Sequence, residues 1–169
     1  VVTGSIALLL EHHEALHPGD RPDAATVKGL LLHNAMDIGN TGPDFKHGWG
    51  LLDARATADF MTDAADPDPL VDREVIEDRF VAGVNAYNRV GRANHGIKVT
   101  LVWTDPDRLP AHGGPDNSEP MLVNDLDLRI VSFTGKVYYP WTLERTSPGA
   151  AAKRDRANHV DNVEQVIIP

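Results

Sequence analysis

The spacing of hydrophobic residues changes once along this chain, and that change constrains the fold more than any other feature. Over residues 1–62 apolar positions recur at helical spacing, whereas beyond residue 72 they alternate as in strands. Between the two lies an acidic, proline-containing stretch, residues 63–71, whose composition is typical of a linker. We therefore predict a helical segment at 1–62 and a β domain at 72–169.

Three helices are predicted in the first segment. The first covers residues 1–16 and is apolar around its whole circumference as far as Leu10, which is typical of a helix buried inside a larger protein. The second begins after Asp23, a residue type that favours the N-cap, and the third runs from Asp53 to about Met61. About 60 residues lie near the lower limit for an independent core, so we expect this segment to need further protein.

The second segment is predicted to form antiparallel strands. The candidates are residues 73–81, 97–103, 122–131 and 163–168, with Thr134–Gly135 as a hairpin turn into residues 137–139. No helical pattern separates these strands. We therefore expect an all-β antiparallel sandwich such as a jelly roll after the three helices.

Composition excludes several classes of function. The formal net charge of −9 disfavours nucleic acid and anionic membranes as partners. The absence of cysteine excludes disulfides, thiolate catalysis and cysteine-based zinc sites. The longest apolar run, residues 6–10, is too short to cross a bilayer, and no signal-peptide pattern is present. Because the chain opens without methionine and closes on an apolar run at 166–168, we expect both ends to be cut from a longer protein.

Catalytic motifs are weak in this sequence. His13, Glu14 and His17 match the H-E-x-x-H pattern of zinc proteases, in which two imidazoles one helical turn apart bind the metal and the glutamate activates water. Pro18 follows directly, so the second histidine would sit at a fraying helix end, and we expect the match to be a chance one. No serine stands in a sharp turn beside an oxyanion donor, so no catalytic residue is predicted.

Acidic residues of the second segment suggest a cation site. Asp125 and Asp127 share one face of the predicted strand, roughly 7 Å apart, while Leu122, Leu126, Leu128 and Ile130 share the inward face. Together with Asp105 at the exit of another strand and the Asn124 carbonyl, they could supply oxygens to Ca²⁺. An acid-amide stretch at 158–164 could cap the same ion. A solvated polar face, or a turn entering an edge strand, explains both features equally well.

The helical segment resembles a known family. Residues 1–10 (VVTGSIALLL) resemble the helix that follows the catalytic serine in subtilisin-like proteases, and residues 27–35 (VKGLLLHNA) resemble that family's next helix. Residues 42–45 (GPDF) and 48–54 (GWGLLDA) look like its turn into the last helix of the catalytic domain. The resemblance implies that residues 1–62 are the remnant of an α/β catalytic domain. It also places the family's serine five residues upstream of Val1, in a motif whose proline would directly precede Val1.

The β segment resembles the C-terminal β-sandwich of a group of bacterial alkaline subtilisin-like proteases. The matching pieces are residues 101–106 (LVWTDP), 122–128 (LVNDLDL) and 161–166 (DNVEQV), where the family often has Asn-Asn in place of Asp161–Asn162. The resemblance implies a secreted, calcium-dependent serine endopeptidase acting on polypeptides. Its catalytic Asp, His, Ser and oxyanion-hole Asn would all lie upstream of Val1, so this chain would be inactive alone and would need the upstream segment as its partner.

Two alternatives from other classes stay open. One is a small zinc protease built on His13, Glu14 and His17. The other is a non-catalytic, calcium-binding β-sandwich that recognises carbohydrate or protein, with the helices as an accessory.

Overall fold

A computed structural model of the protein describes residues 1–66, 68, 73–79, 81, 96–108 and 119–169. Three helices come first: α1 (Val2–Leu16), α2 (Ala24–His33) and α3 (Ala54–Ala65). Four strands follow: β1 (Ile97–Val102), β2 (Ile130–Val131), β3 (Val137–Tyr138) and β4 (Val163–Ile168). The described residues thus form a mixed α/β structure with small antiparallel sheets.

The helices begin where the sequence predicts. Asp53 is the N-cap of α3, and its Oδ1 accepts a hydrogen bond from Ala56 N at 2.8 Å, so one of the unpaired N–H groups of the first turn is satisfied. Asp23 occupies the N-cap position of α2 without such a bond. α3 continues past Met61 to Ala65, into the start of the predicted linker. Residues 67 and 69–71 of that linker lie outside the described residues.

The helical core lies between α1 and α3. Leu9 of α1 and Met61 of α3 are buried, 7% and 6% exposed, and Thr57 beside them is fully enclosed. The hydroxyl of Thr57 donates to the carbonyl of Asp53 at 2.7 Å, so this polar group is buried without leaving a hydrogen bond unmade. α1 and α3 therefore share one apolar contact face.

The main sheet pairs β1 with β4 in antiparallel register, from Ile97 opposite Ile168 to Val102 opposite Val163. Because side chains alternate along a strand, Thr100 and Val102 of β1 point to the same face. That face carries α2, since Thr100 Oγ1 lies 2.9 Å from His33 Nδ1. The helical and β segments are thus packed together through α2 and β1.

A short hairpin joins β2 to β3. Ile130 pairs with Tyr138 and Val131 with Val137, and the turn is closed by the N–H of Gly135 donating to the carbonyl of Ser132 at 2.9 Å. The predicted turn at Thr134–Gly135 and the strand that follows it are confirmed.

Two predicted strands are wrong in whole or in part. Residues 73–79 and 81 adopt no regular secondary structure, and residue 80 lies outside the described residues. Within 122–131 only Ile130–Val131 form a strand. The backbone N–H groups of Val123 and Leu128 donate instead to side-chain carboxylates, so they are not available to a ladder. A jelly-roll sandwich is not confirmed, since the described residues form two separate two-stranded sheets and no closed barrel.

Candidate functional site

The predicted calcium ligands fall into two groups in the structure, and the first is Asp105 with Asn124. Asp105 Oδ2 accepts from Val123 N at 2.6 Å, and Oδ1 accepts from Asn124 N at 2.9 Å and from Asn124 Nδ2 at 3.0 Å. Burial pushes the pKa of Asp105 upward, but these hydrogen bonds outweigh it and hold the pKa below its usual value. Asp105 therefore ties the 122–124 segment to the end of β1.

Asn124 also binds the end of β1 through its backbone carbonyl. Its carbonyl accepts a hydrogen bond from Trp103 Nε1 at 3.1 Å, and Trp103 is 8% exposed. The hydrogen bonds of Asp105 and Asn124 thus fix the buried Trp103 in place. They also hold the 122–124 loop, which has no strand partner of its own.

The second group surrounds a buried glutamate. Glu164 of β4 is 0% exposed, and its Oε2 accepts from Leu128 N at 2.5 Å. Its Oε1 is buried and has no hydrogen-bond partner among the described residues. The pKa of Glu164 is raised to about 7, mainly by burial and to a lesser degree by the charges of Asp127 and Asp125, against the opposing effects of the Leu128 N–H and His159.

Asp125 lies at the surface of this second group. Its Oδ2 is 2.6 Å from His159 Nδ1, which joins the 125–128 segment to the loop before β4. Asp125 and Asp127 are exposed, whereas Leu126, Leu128 and Ile130 are less exposed. The predicted division into an acidic outer face and an apolar inner face is therefore confirmed, although most of this segment is not a strand.

The structure thus brings Asp125 and Asp127 close to Glu164 and leaves Asp105 engaged with backbone N–H groups. Among the described residues, no three His, Asp or Glu side chains are arranged to hold a metal ion. The buried, unpartnered Oε1 of Glu164 is the kind of oxygen a hard cation binds, and it lies in the second group rather than in the predicted set. Calcium at Asp105, Asn124, Asp125 and Asp127 stays a prediction.

Glu164 is the functional candidate that sequence reasoning underrated. It falls in the acid-amide stretch 158–164, but in the structure both faces of β4 are covered from Val163 to Val166, so its side chain is buried. A charged residue followed by Gln165 within an otherwise apolar strand was the available signal, since buried charges are rare unless paired.

The H-E-x-x-H residues lie at the end of α1. The His13 and His17 rings are 4.8 Å apart between centroids, and His17 is the residue that ends the helix. Glu14 Oε1 accepts from Gly19 N at 3.0 Å, so the glutamate closes the turn after the helix. His13 Nε2 lies 3.7 Å from Asp20 Oδ2. These contacts give the motif a structural role at a helix terminus.

Comparison with known proteins identifies no relative: neither a family model nor a curated protein sequence matches this chain. Within the part of the chain that the structure describes, no helix combines the length and apolar character needed to cross a membrane.

Proposed function

We propose that this chain is the C-terminal part of a secreted subtilisin-like serine endopeptidase. The intact protein would hydrolyse peptide bonds in polypeptides through a Ser-His-Asp mechanism whose residues lie upstream of Val1. The chain itself supplies scaffold: three helices from the end of the catalytic domain and the β segment that follows. The proposal rests on the residue patterns at 1–10, 27–35 and 42–54.

The observation that carries this proposal is the exposed apolar surface of the first half of α1. Leu9 faces the protein, but Val2, Leu8 and Leu10 are 54%, 66% and 41% exposed. Large apolar side chains exposed on several sides of one helix segment mark a surface that another element covers. The second half of the helix differs, because Glu11 and Glu14 occupy its exposed positions.

An upstream segment of the same polypeptide that covers the first half of α1 would explain why only this half exposes apolar side chains. In the proposed parent, the nucleophile-bearing turn precedes α1 directly, so the first turns of the helix would pack inside the catalytic domain. Val1 is the N-cap of α1 and provides no side-chain cap. The N–H groups of this first turn would then face the reaction centre, where the helix dipole favours developing negative charge.

The helix that ends the catalytic domain also fits the resemblance. Residues 48–54 carry the family-like GWGLLDA pattern, and within it Asp53 caps α3. Residues 36 and 51 form an antiparallel bridge that closes the loop before that cap. Residues of the pattern therefore close the loop and cap the helix that corresponds to the family's last catalytic-domain helix.

Calcium is proposed as a structural ion of the β segment. The unpartnered oxygen of Glu164 near Asp125 and Asp127 supports a cation close to these side chains, where it would offset their mutual repulsion. A bound ion would join the 125–128 segment to β4 and would stabilise the folded state by mass action.

The experiment is to compare this chain with a version extended upstream by the length of a catalytic domain. We expect the extended protein to hydrolyse casein and to lose that activity to a serine-directed inhibitor. The 169-residue chain should be inactive under the same conditions. Turnover of casein by this chain alone, abolished by the same inhibitor, would refute the assignment of the catalytic residues to the upstream segment.

A further inference from the structure

A cleft opens where the main sheet extends beyond the end of α2. The helix covers its face of the sheet only as far as His33, beside Thr100. Two residues nearer the start of β1, on the same face, Lys98 pairs with Ile167 of β4. The loop after α2 and the segment around residues 141–154 form the remaining walls of a cavity of about 250 Å³.

The walls of this cleft are mainly apolar. They include Leu32, Pro43, Trp49, Trp141 and Ile167. Trp141 is only 7% exposed and is held in place, with Arg154 4.5 Å from the centre of its ring. The cavity is slightly smaller than the roughly 300–1,000 Å³ of most small-molecule sites, so its occupant has about the size of one amino acid.

The charged side chains that line the cleft are mostly cationic, although the whole protein has a net charge of −9. Lys98, Arg154 and Asp37 line it, and Asp37 Oδ2 already accepts from Gly42 N at 2.8 Å. Neither cation forms a salt bridge with another described residue. Of the three charged side chains on these walls two are cationic and one is anionic, which favours an anionic occupant.

The lowered pKa of Lys98 and the fixed position of Arg154 also favour an anionic occupant. Although part of this residue reaches solvent, desolvation by the surrounding protein lowers the pKa of its ammonium, and the charge of Asp37 offsets this only in part. Arg154 is oriented by its position over Trp141 and by a hydrogen bond from Nη1 to the carbonyl of Ile167 at 2.6 Å. An anion placed between the two side chains would stabilise the charged form of Lys98 that desolvation disfavours.

We propose that this cleft binds an apolar carboxylate, with its carboxylate group between Lys98 and Arg154 and its hydrocarbon body against Trp49 and Ile167. The same chemistry is present in a free hydrophobic carboxylic acid and in the C-terminal residue of a peptide. The proposal does not depend on the protease assignment, because every residue it uses lies in this chain.

The test is binding of N-acetyl-leucine and its amide, N-acetyl-leucinamide, followed by titration calorimetry and tryptophan fluorescence. Two of the three tryptophans line the cleft, so occupancy changes the emission. We expect the acid to bind at least about tenfold more tightly than the amide, since a charge-assisted contact is worth about 1.5–3 kcal/mol. Equal affinities, or no binding of the acid at millimolar concentration, would overturn the proposal.

Lys98→Met tests the cation directly, and Lys136→Met is the matched control. Lys136 lies 4.6 Å from the Tyr138 ring on the β2–β3 hairpin and does not line the cleft. Affinity for the acid should fall about tenfold in the first variant and be unchanged in the second. If Lys98→Met fails to fold, added salt replaces it: salt must weaken binding of the acid and leave that of the amide unchanged.

A short peptide ending in leucine separates the two sources of the carboxylate. Tighter binding of the peptide than of N-acetyl-leucine, lost when its C-terminus is amidated, assigns the cleft to a peptide terminus. Equal binding of the two acids assigns it to a free small molecule. Peptide binding that survives amidation would contradict the carboxylate site.

Discussion

The buried carboxyl of Glu164 makes the stability of this protein depend on pH in a direction that can be worked out from the structure. Its pKa rises from 4.5 to about 7 on folding, mainly through burial. A carboxyl with a raised pKa holds its proton in the folded state, so its contribution is most favourable below pH 4.5 and is lost as the pH rises through 7. At about 1.4 kcal/mol per pH unit, the loss amounts to at most about 3.5 kcal/mol.

Glu164→Gln removes this dependence and keeps an oxygen for the Leu128 N–H. We expect the variant to match the wild-type protein near pH 5 and to exceed its free energy of unfolding at pH 8 by about 2–3 kcal/mol. The measurement is urea unfolding at several pH values in the presence of a chelator, with tryptophan fluorescence as the signal. Titrating groups that do not interact with Glu164 cancel in the difference between the two proteins.

Glu11→Gln, an exposed position on α1, is the control and should show no such pH-dependent difference. If the difference between Glu164→Gln and the wild-type protein is the same at pH 5 and pH 8, Glu164 does not titrate in this range and the burial argument fails.

Three further predictions concern Asp44, Gly42 and the proposed calcium ion. Asp44→Ala should lower the free energy of unfolding at neutral pH, because the Asp44 carboxylate accepts three backbone N–H groups. These bonds lower the pKa of Asp44, so calorimetry should show the difference in stability between the wild-type protein and the variant shrinking as the pH falls below about 4. Gly42→Ala should cost more stability than Gly135→Ala: both have positive φ, but only at Gly42 would a Cβ meet the Trp141 ring, and equal chemical denaturation midpoints would contradict this. Calcium should raise the melting temperature and Asp127→Asn should reduce that rise, whereas an identical melt in calcium and in excess chelator would remove the ion from the account.

Local signals predicted the helices well. The start of α3 depends on the Asp53 cap, which bonds to a residue only three positions further along the chain. The limits of β4 match the predicted ones, Val163 to Ile168. Such features are encoded within a few residues of the elements they define.

The failed strand at 122–129 shows what the sequence alone could not supply. Its alternating pattern is real and correctly divides inner from outer side chains. Its backbone donors, however, bond to Asp105 and Glu164, which lie 18 and 36 residues away. Whether a backbone N–H pairs with a distant carboxylate depends on the tertiary structure, and the periodicity of the sequence carries no information about it.

Only part of the candidate site could be predicted from the sequence, again because tertiary contacts leave no local pattern. The acidic outer face follows from alternation, so Asp125 and Asp127 were found. Their proximity to Glu164 depends on how the 125–128 segment lies against β4, which no local pattern reports.

The central claim is that a subtilisin-like catalytic segment precedes this chain, and the sequence of the coding DNA upstream of Val1 tests it most directly. We expect Gly-Thr-Ser-x-Ala-x-Pro directly before Val1, with the histidine and aspartate motifs further upstream. A start codon immediately before Val1, or an upstream sequence without the serine motif, would contradict it.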